Sequence, residues 1–306
     1  MAQSFRITSI GAKAQRVLLA GGPVEVLAVF ERSLHLRCPS GYVCVVGEPM
    51  GRGPLNAVVG VTFPDGWQPP GLGPRTRGEV RDGRLVLGAM TLDFVGAALW
   101  TPPPWSPRPP APALRDALAR FGDVVAASDR LPLDGCARVA FGTPVTAALA
   151  GAVMRKALLA TATLGDWLAD VLADADAADA TLAEAARESV TALLGLGPGL
   201  TPAGDDVLAG LLIGLHAASE VDAANALAAM IRATSPGATS EISHAFLEAA
   251  MDGLPSEPLA DAIAAVMTGD EARFPAIIER IDGVGHTSGW DMLAGAVLAL
   301  AAVAAT

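Results

Sequence analysis

The segment Gly195-Leu-Gly-Pro-Gly-Leu-Thr-Pro-Ala-Gly-Asp-Asp206 is followed directly by the apolar run Val207–Leu215. Three glycines and a proline among its first five residues exclude a regular helix or a central strand at that point. Thr201 followed by Pro202 is typical of an N-cap residue and a first helical position. The sequence therefore predicts a tight loop that leads into the N-terminus of a buried helix.

A loop of this kind directs several backbone N–H groups at one point, where the helix dipole adds positive potential. It is a candidate site for a phosphate or carboxylate, with Gly197, Gly199, Thr201, Gly204 and Asp205 as candidate substrate-binding residues. The segment lacks the Gly-Lys-Ser/Thr ending of a P-loop and the preceding strand of a dinucleotide-binding unit. A capped core helix whose glycines allow close packing is the alternative interpretation.

A second stretch near the C-terminus, Gly285-His-Thr-Ser-Gly-Trp-Asp291, also precedes an apolar run. Aligned without gaps, five residues of the first stretch fall on identical residues of the second: Gly204, Asp206, Leu208, Ala209 and Gly210 on Gly289, Asp291, Leu293, Ala294 and Gly295. We expect two like helix starts to face one another around a shared anion or metal site. Chance similarity between helices rich in Ala, Leu and Gly is the alternative.

The polar residues of these two stretches suggest roles in catalysis. Asp206 and Asp291 are candidates to orient an amino group or a metal, and His286 to assist proton transfer near neutral pH. A structural cap is the alternative role for His286. The other small and polar residues of the second loop are candidate substrate-binding residues: Thr287, Ser288 and Gly289.

Two further candidates lie elsewhere in the sequence. Ser240 begins a predicted helix in the segment Thr239–Ser243, where it either lines the same pocket or caps the helix. Arg52, between two glycines, either reaches an anion or is a solvated turn residue. Because two carboxylates near one anion need a compensating cation, Arg52 or Mg²⁺ would supply it, and the cofactor is otherwise unknown.

Composition limits the class of protein. The chain has 306 residues, of which 52% are hydrophobic, so it can bury a sizeable core. Its net charge of −11 argues against a nucleic-acid groove and against membrane binding through basic residues. The three cysteines form no metal-ligand pattern, so we expect thiols that are buried or have no functional role. Without a signal-peptide pattern or an apolar tract of spanning length, a cytoplasmic protein is expected.

The pattern of apolar runs and turn residues predicts an α+β protein. Residues 1–100 are β-rich, with short runs such as Val17–Leu19 between frequent turns, and favour a small antiparallel barrel or sandwich. Residues 101–112 form a proline-rich linker. Residues 113–306 are rich in Ala and Leu and predict an all-α bundle that carries the Gly/Thr/Asp loops.

Together these motifs resemble the AllH-type subunit of oxamate carbamoyltransferase, formerly a family of unknown function. The resemblance depends on 195–206, 285–291 and 239–243, more loosely on 51–55, and in order it covers the chain from about residue 15. It implies a multi-subunit enzyme of allantoin breakdown, a branch of purine degradation. That enzyme interconverts oxalurate plus phosphate with oxamate plus carbamoyl phosphate, and its other subunits include one that resembles succinyl-CoA synthetase.

The residues and the resemblance agree on one hypothesis, a carbamoyltransferase subunit that binds a small anion, such as carbamoyl phosphate or oxamate, at helix N-termini. The alternative is a non-catalytic partner or scaffold subunit, whose glycine loops shape an interface with a sibling protein. A stand-alone small-ligand sensor ranks last because the sequence has no DNA-binding signature. No motif identifies oxamate itself.

Overall fold

The structure, a computed structural model, describes residues 3–60, 71–132, 136–141, 151–173, 179–234 and 237–306. The chain forms two compact units. The first comprises Met1–Pro103 together with the short segment Leu254–Glu257, and the second comprises Pro104–Gly253 and Pro258–Thr306. Each unit is described by itself below.

The first unit is a closed β-barrel. Its strands are β1 (Gln3–Gly11), β2 (Gly22–Val29), β3 (Ser33–Cys38), β4 (Gly41–Gly47), β5 (Asn56–Val59), β6 (Arg77–Arg81), β7 (Arg84–Leu87), β8 (Met90–Asp93) and β9 (Ala98–Trp100). Eight strands follow the order β5-β4-β3-β2-β6-β7-β8-β1, and β1 pairs with β5 to close the ring. Most neighbours are antiparallel, whereas β4–β5 and β1–β8 are parallel. Strand β9 extends the sheet beside β1.

The barrel interior is filled by alternate residues of its strands, as the period of two along a strand requires. Leu34, Leu36, Val43 and Val45 belong to this core, together with one face of helix α1 (Ala12–Ala20). The prediction of a strand at Val17–Leu19 is wrong. The buried residues of α1, Ala14, Val17 and Leu18, follow helical spacing, and Leu19 is 69% exposed.

The second unit is helical, as predicted. In its described part the helices are α2 (Ala111–Ala127), α3 (Ala137–Ala140), α4 (Ala152–Ala173), α5 (Ala180–Leu193), α6 (Ala203–Ala217), α7 (Val221–Ala233), α8 (Glu241–Met251), α9 (Glu257–Thr268), α10 (Phe274–Asp282) and α11 (Ser288–Ala305). Helix α9 begins at Glu257, which is grouped with the first unit. The α+β class, with an N-terminal β-barrel followed by a helical region, is thus confirmed.

The segment 101–110, within the predicted linker, has neither helix nor strand, and α2 begins at Ala111. Helices α3 and α10 have no counterpart in the sequence predictions.

The core of the second unit is formed around α6 and α11. The apolar residues of α6 are all buried, and so are most of those of α11. In the same core, Phe121 and Phe274 pack edge to face with ring centroids 4.9 Å apart. Of the described helices, α11 alone has the length and composition of a membrane span, and 61% of that stretch is buried within the structure. A core helix satisfies the same criteria.

Candidate functional site

Helices α6 and α11 pack closely because each has a glycine at the contact. A Cβ added to Gly210 would lie 1.9 Å from the carbonyl oxygen of Met292, and one added to Gly295 would lie 2.0 Å from that of Val207. The gapless alignment pairs position 210 with 295 and position 207 with 292, so the two contacts are equivalent. An approximate internal two-fold symmetry therefore relates α6 to α11.

The two helices run parallel, with their N-termini at the same end. Thr201 and Ser288, at the two starts, have their hydroxyl oxygens 3.0 Å apart. Near the other end, a Cβ on Gly214 would lie 2.7 Å from the Cβ of Ala299. Since the positive ends of both helix dipoles lie together, both dipoles contribute positive potential at this end of the pair. The structure thus brings the two predicted loops together.

The loops before α6 and α11 share a backbone pattern. The N–H of Gly204 donates to the carbonyl of Leu196 at 2.9 Å, and the N–H of Gly289 donates to that of Val284 at 3.0 Å. Seven residues separate the first pair and four the second, so the first loop is longer by three. The second unit therefore contains the same helix–loop–helix arrangement twice, as α5–α6 and as α10–α11.

The first loop is irregular, as its glycines predict. Gly195, Gly197 and Gly199 have φ angles of 71°, 120° and 96°, in the region that favours glycine. Gly197 is half-buried, and Gly199 is exposed at the surface. The loop therefore extends from solvent toward the buried start of α6.

The interpretation of Thr201 as the N-cap of α6 is wrong. The helix begins at Ala203 with Pro202 as the cap residue, and no side chain caps it. The carbonyl of Pro202 accepts the N–H groups of Asp205 and Asp206 at 2.9 and 3.1 Å. The hydroxyl of Thr201 lies instead against the second loop.

Asp205 joins the first loop to helix α8. It is 1% exposed, and its Oδ1 accepts the N–H of Gly195 at 2.8 Å. Its Oδ2 accepts the hydroxyls of Ser243, at 2.6 Å, and of Thr239. Ser240 caps α8 by accepting the N–H of Ser243 at 3.0 Å and donates its own hydroxyl to the carbonyl of Leu200. Both oxygens of Asp205 are thus occupied by protein donors.

Asp206 has a different environment from Asp205. It is 4% exposed, and its Oδ2 is buried without a hydrogen-bond partner among the described residues. Burial is the main cause that raises the pKa of Asp206 well above its usual range. The negative charges of Asp291 and Asp205 raise the pKa further, and a hydrogen bond with Ser288 opposes the shift.

Asp291 and Cys136 complete the buried end of the site. Asp291 is 0% exposed, and its Oδ1 accepts the N–H of Ala137 at 3.0 Å. Burial raises the pKa of the Cys136 thiol to about 12, and the charges of Asp291 and Asp206 raise it by smaller amounts. Sequence reasoning missed Cys136, because no local pattern connects it to either loop.

The second loop places its predicted residues at increasing depth. Gly285 and His286 are exposed, Thr287 and Ser288 are half-buried, and Gly289 is buried. Thr287 is the cap residue of α11, although no side chain caps that helix. The histidine is thus at the surface of the site and the hydroxyls lie between it and the carboxyl groups.

Arg52 lies in the first unit. Its guanidinium forms an ion pair with Glu257, and its backbone N–H donates to Oε2 of the same carboxylate at 3.0 Å. The role of Arg52 toward an anion stays a prediction. A surface depression of about 420 Å³ in this unit, lined by Ser4, Phe5, Arg6, Asp93 and Val95, includes none of the predicted site residues.

Comparison with known families supports the assignment of the helical unit. Residues 193–300 match the family model of the oxamate carbamoyltransferase subunit AllH. The match begins at the end of α5 and ends within α11, so it contains both loops and both buried aspartates. No curated protein and no solved structure matches the chain. The predicted resemblance is confirmed over this range: residues 193–300 are similar to the oxamate carbamoyltransferase subunit AllH family.

Proposed function

We propose that the chain is a subunit of a carbamoyltransferase-type enzyme, of the oxamate carbamoyltransferase kind that acts in allantoin and purine degradation. The family match over residues 193–300 supports the reaction class. We propose further that the loops 195–206 and 285–291 bind the small anionic substrate. The observation that carries this second part is the meeting of the two helix N-termini at Thr201 and Ser288.

The chemistry of the site suits a small molecule that combines an anion with an amide. Parallel helix N-termini attract negative charge, and the hydroxyls of Thr201, Thr287 and Ser288 are donors for its oxygens. Carbamoyl phosphate and oxamate each contain a charged group and an NH₂ group. In this proposal the loops hold the charged group, and the carboxyl groups of Asp206 and Asp291 orient the NH₂ group.

The burial of both carboxyl groups implies that binding involves movement. Asp206 is 4% exposed and Asp291 is 0% exposed, so a substrate contacts them only after the loops separate. The hydroxyl contact between Thr201 and Ser288 closes the two loops over this region. Lids of this kind exclude water from a reacting acyl phosphate.

From their contacts, we propose different roles for the candidate residues. Asp205 has both oxygens occupied by protein donors, so we assign it to holding the first loop in position. His286, at the surface of the site, is the candidate for proton transfer. Asp206 and Asp291, each with a buried Oδ2, are the groups expected to respond most directly to the substrate.

Thermal unfolding with added anions tests the binding site. We expect oxamate, carbamoyl phosphate and phosphate to raise the melting temperature, whereas chloride at equal ionic strength does not. Asp206→Asn should change the increase in melting temperature that these three anions cause. Asp222→Asn is the matched control, because Asp222 also lies in the first turn of a helix, α7, but is exposed. Equal melting temperatures with all four anions would contradict the site.

The burial of the carboxyl groups also favours a second candidate function, a non-catalytic partner subunit. In this role the chain assembles with sibling subunits, for which we propose a protein that resembles succinyl-CoA synthetase. Asp206→Asn in the assembled enzyme separates the two functions. Lost turnover with intact assembly supports catalysis, whereas lost assembly supports the scaffold.

A further inference from the structure

Helix α8 is joined to the first loop by the hydroxyl groups of residues at its N-terminus. Those of Thr239 and Ser243 donate to Oδ2 of Asp205, and that of Ser240 donates to the backbone carbonyl of Leu200. Asp205 belongs to helix α6, whereas Leu200 lies within the loop itself. Ser240 therefore acts on the backbone of the loop, and the other two hydroxyls act on a side chain.

The hydroxyl of Ser240 has a fixed direction. A serine hydroxyl has one proton to donate and two lone pairs that accept. As the cap of α8, the oxygen of Ser240 accepts the N–H of Ser243 at 3.0 Å. The single proton is then left for the carbonyl of Leu200, so the helix cap holds this hydroxyl as a donor toward the loop.

This bond orients the peptide unit between Leu200 and Thr201. The C=O and N–H groups of a trans peptide lie in one plane and point in opposite directions, and the described residues include no cis peptide. Because the carbonyl of Leu200 points toward Ser240, the N–H of Thr201 points away from Ser240. Pro202 follows directly and disfavours helical backbone angles for Thr201, which limits the ways in which this peptide unit can turn.

The N–H of Thr201 is available to a ligand. Within the described part of the chain it has no hydrogen-bond acceptor, and the same is true of the N–H groups of Gly197, Gly199 and Leu200. The hydroxyl of Thr201 lies 3.0 Å from that of Ser288, where the two helix N-termini meet. Backbone N–H groups in a loop before a helix are typical donors to oxyanions.

We propose that Ser240 is a positioning residue for the anionic substrate: it holds the peptide unit between Leu200 and Thr201 so that the N–H of Thr201 donates to an oxygen of the anion. This role depends on the proposed function and names one donor of its site. Without the bond from Ser240, the peptide unit is free to turn its carbonyl oxygen toward the anion, which that oxygen repels. A donor that is held in place before binding needs no reorganisation when the substrate arrives.

Ser240→Gly separates this role from that of a helix cap. Glycine caps a helix almost as well as serine, so α8 should stay intact while the hydroxyl is lost. The affinity for inorganic phosphate, measured by isothermal titration calorimetry, should fall about five- to tenfold. Ser240→Thr keeps the hydroxyl and should bind within about twofold of the wild type. Asp179→Gly, which removes the cap residue of α5, should bind phosphate like the wild type.

The amide proton of Thr201, observed by NMR, gives a readout that a merely structural role of Ser240 would not change. In the wild type and in Ser240→Thr, phosphate should move the chemical shift of this proton downfield, because the N–H gains an anionic acceptor. In Ser240→Gly at saturating phosphate, most of that change should be lost.

Two results would overturn the role of Ser240 and leave the anion site in place. One is phosphate binding to the wild type without a change at the Thr201 amide, a measurement that needs no variant. The other is equal phosphate affinity of the wild type and Ser240→Gly. If the wild type binds neither phosphate nor oxamate, the proposed function fails, and the role of Ser240 fails with it.

Discussion

The hydroxyl oxygens of Thr201 and Ser288 lie 3.0 Å apart, although 87 residues separate them in the chain. This contact joins the starts of the two glycine-packed helices. Beneath it lie the carboxyl groups of Asp206 and Asp291, closed to solvent. A ligand that approaches from solvent therefore meets hydroxyls and helix N-termini before it reaches an acidic group.

Removing one hydroxyl should weaken anion binding without changing the fold. Thr201→Val keeps the shape of the side chain but removes the donor, so oxamate affinity should fall about five- to tenfold, or ~1 kcal/mol. Isothermal titration calorimetry measures this change. Thr191→Val, at an exposed position of α5, should bind like the wild type. If the two variants bind equally well, Thr201 does not contact the ligand.

Adding a methyl group at the helix contact should destabilise the second unit. Gly210→Ala and Gly295→Ala each place a Cβ within about 2 Å of a carbonyl oxygen, so each should cost at least ~1–3 kcal/mol. The double variant should lose less than the sum, because the first substitution already separates the helices. Urea unfolding measures these values.

Gly122→Ala, in α2, is the control for the helix-contact variants. A Cβ at Gly122 meets no atom within 4 Å, so this variant should be neutral or more stable by up to ~1 kcal/mol. Similar losses for Gly122→Ala and Gly210→Ala would show that close packing of α6 on α11 is not the cause.

The neighbouring residues Asp205 and Asp206 should lose different amounts of stability on the same substitution. Asp205→Asn removes an acceptor from a buried carboxylate that holds three donors, and should lose ~2–4 kcal/mol. Asp206→Asn replaces an acid whose raised pKa already favours the neutral form, and should stay within ~1 kcal/mol of the wild type. Chemical unfolding at neutral pH compares the two. Equal losses would mean that Asp206 is ionised.

The first unit should lose stability in weak acid because of His35. Its ring nitrogens bond to Ser33, at 2.8 Å, and to Tyr42, and burial lowers its pKa from 6.5 to about 4. Between these two pH values the unfolded chain binds the proton and the native protein does not. The free energy of unfolding should therefore fall as the pH drops through this window, by up to ~3 kcal/mol in total.

Unfolding curves measured across the same pH window check the role of His35. His35→Gln should remove most of the slope, because glutamine does not titrate. His244→Gln, at an exposed position, should leave the slope as in the wild type. If His35→Gln keeps the slope, the pH dependence of the free energy of unfolding comes from carboxyl groups instead.

The helix pair could be predicted from sequence because its contacts need particular residues. Glycines at 210 and 295 and aspartates at 206 and 291 recur in equivalent positions, and a gapless alignment detects them. The gapless alignment does not detect the backbone pattern that the two loops share, because the first loop is longer by three residues.

Other features depend on contacts that local rules do not include. Thr201 has the sequence of a helix cap, but its hydroxyl pairs with Ser288 in the other loop. In α1, three consecutive β-prone residues conceal the helical spacing of Ala14, Val17 and Leu18. Cys136 reaches the site because its neighbour Ala137 donates to Asp291, 154 residues away.

The location of a bound anion tests the central claim most directly. Crystals soaked in selenate, a tetrahedral dianion with an anomalous signal, should show one strong anomalous peak between the hydroxyls of Thr201 and Ser288. The peak should lie within hydrogen-bond distance of backbone N–H groups of both loops. Selenate bound at other positions, with the space between these hydroxyls unchanged at saturating concentration, would contradict the account.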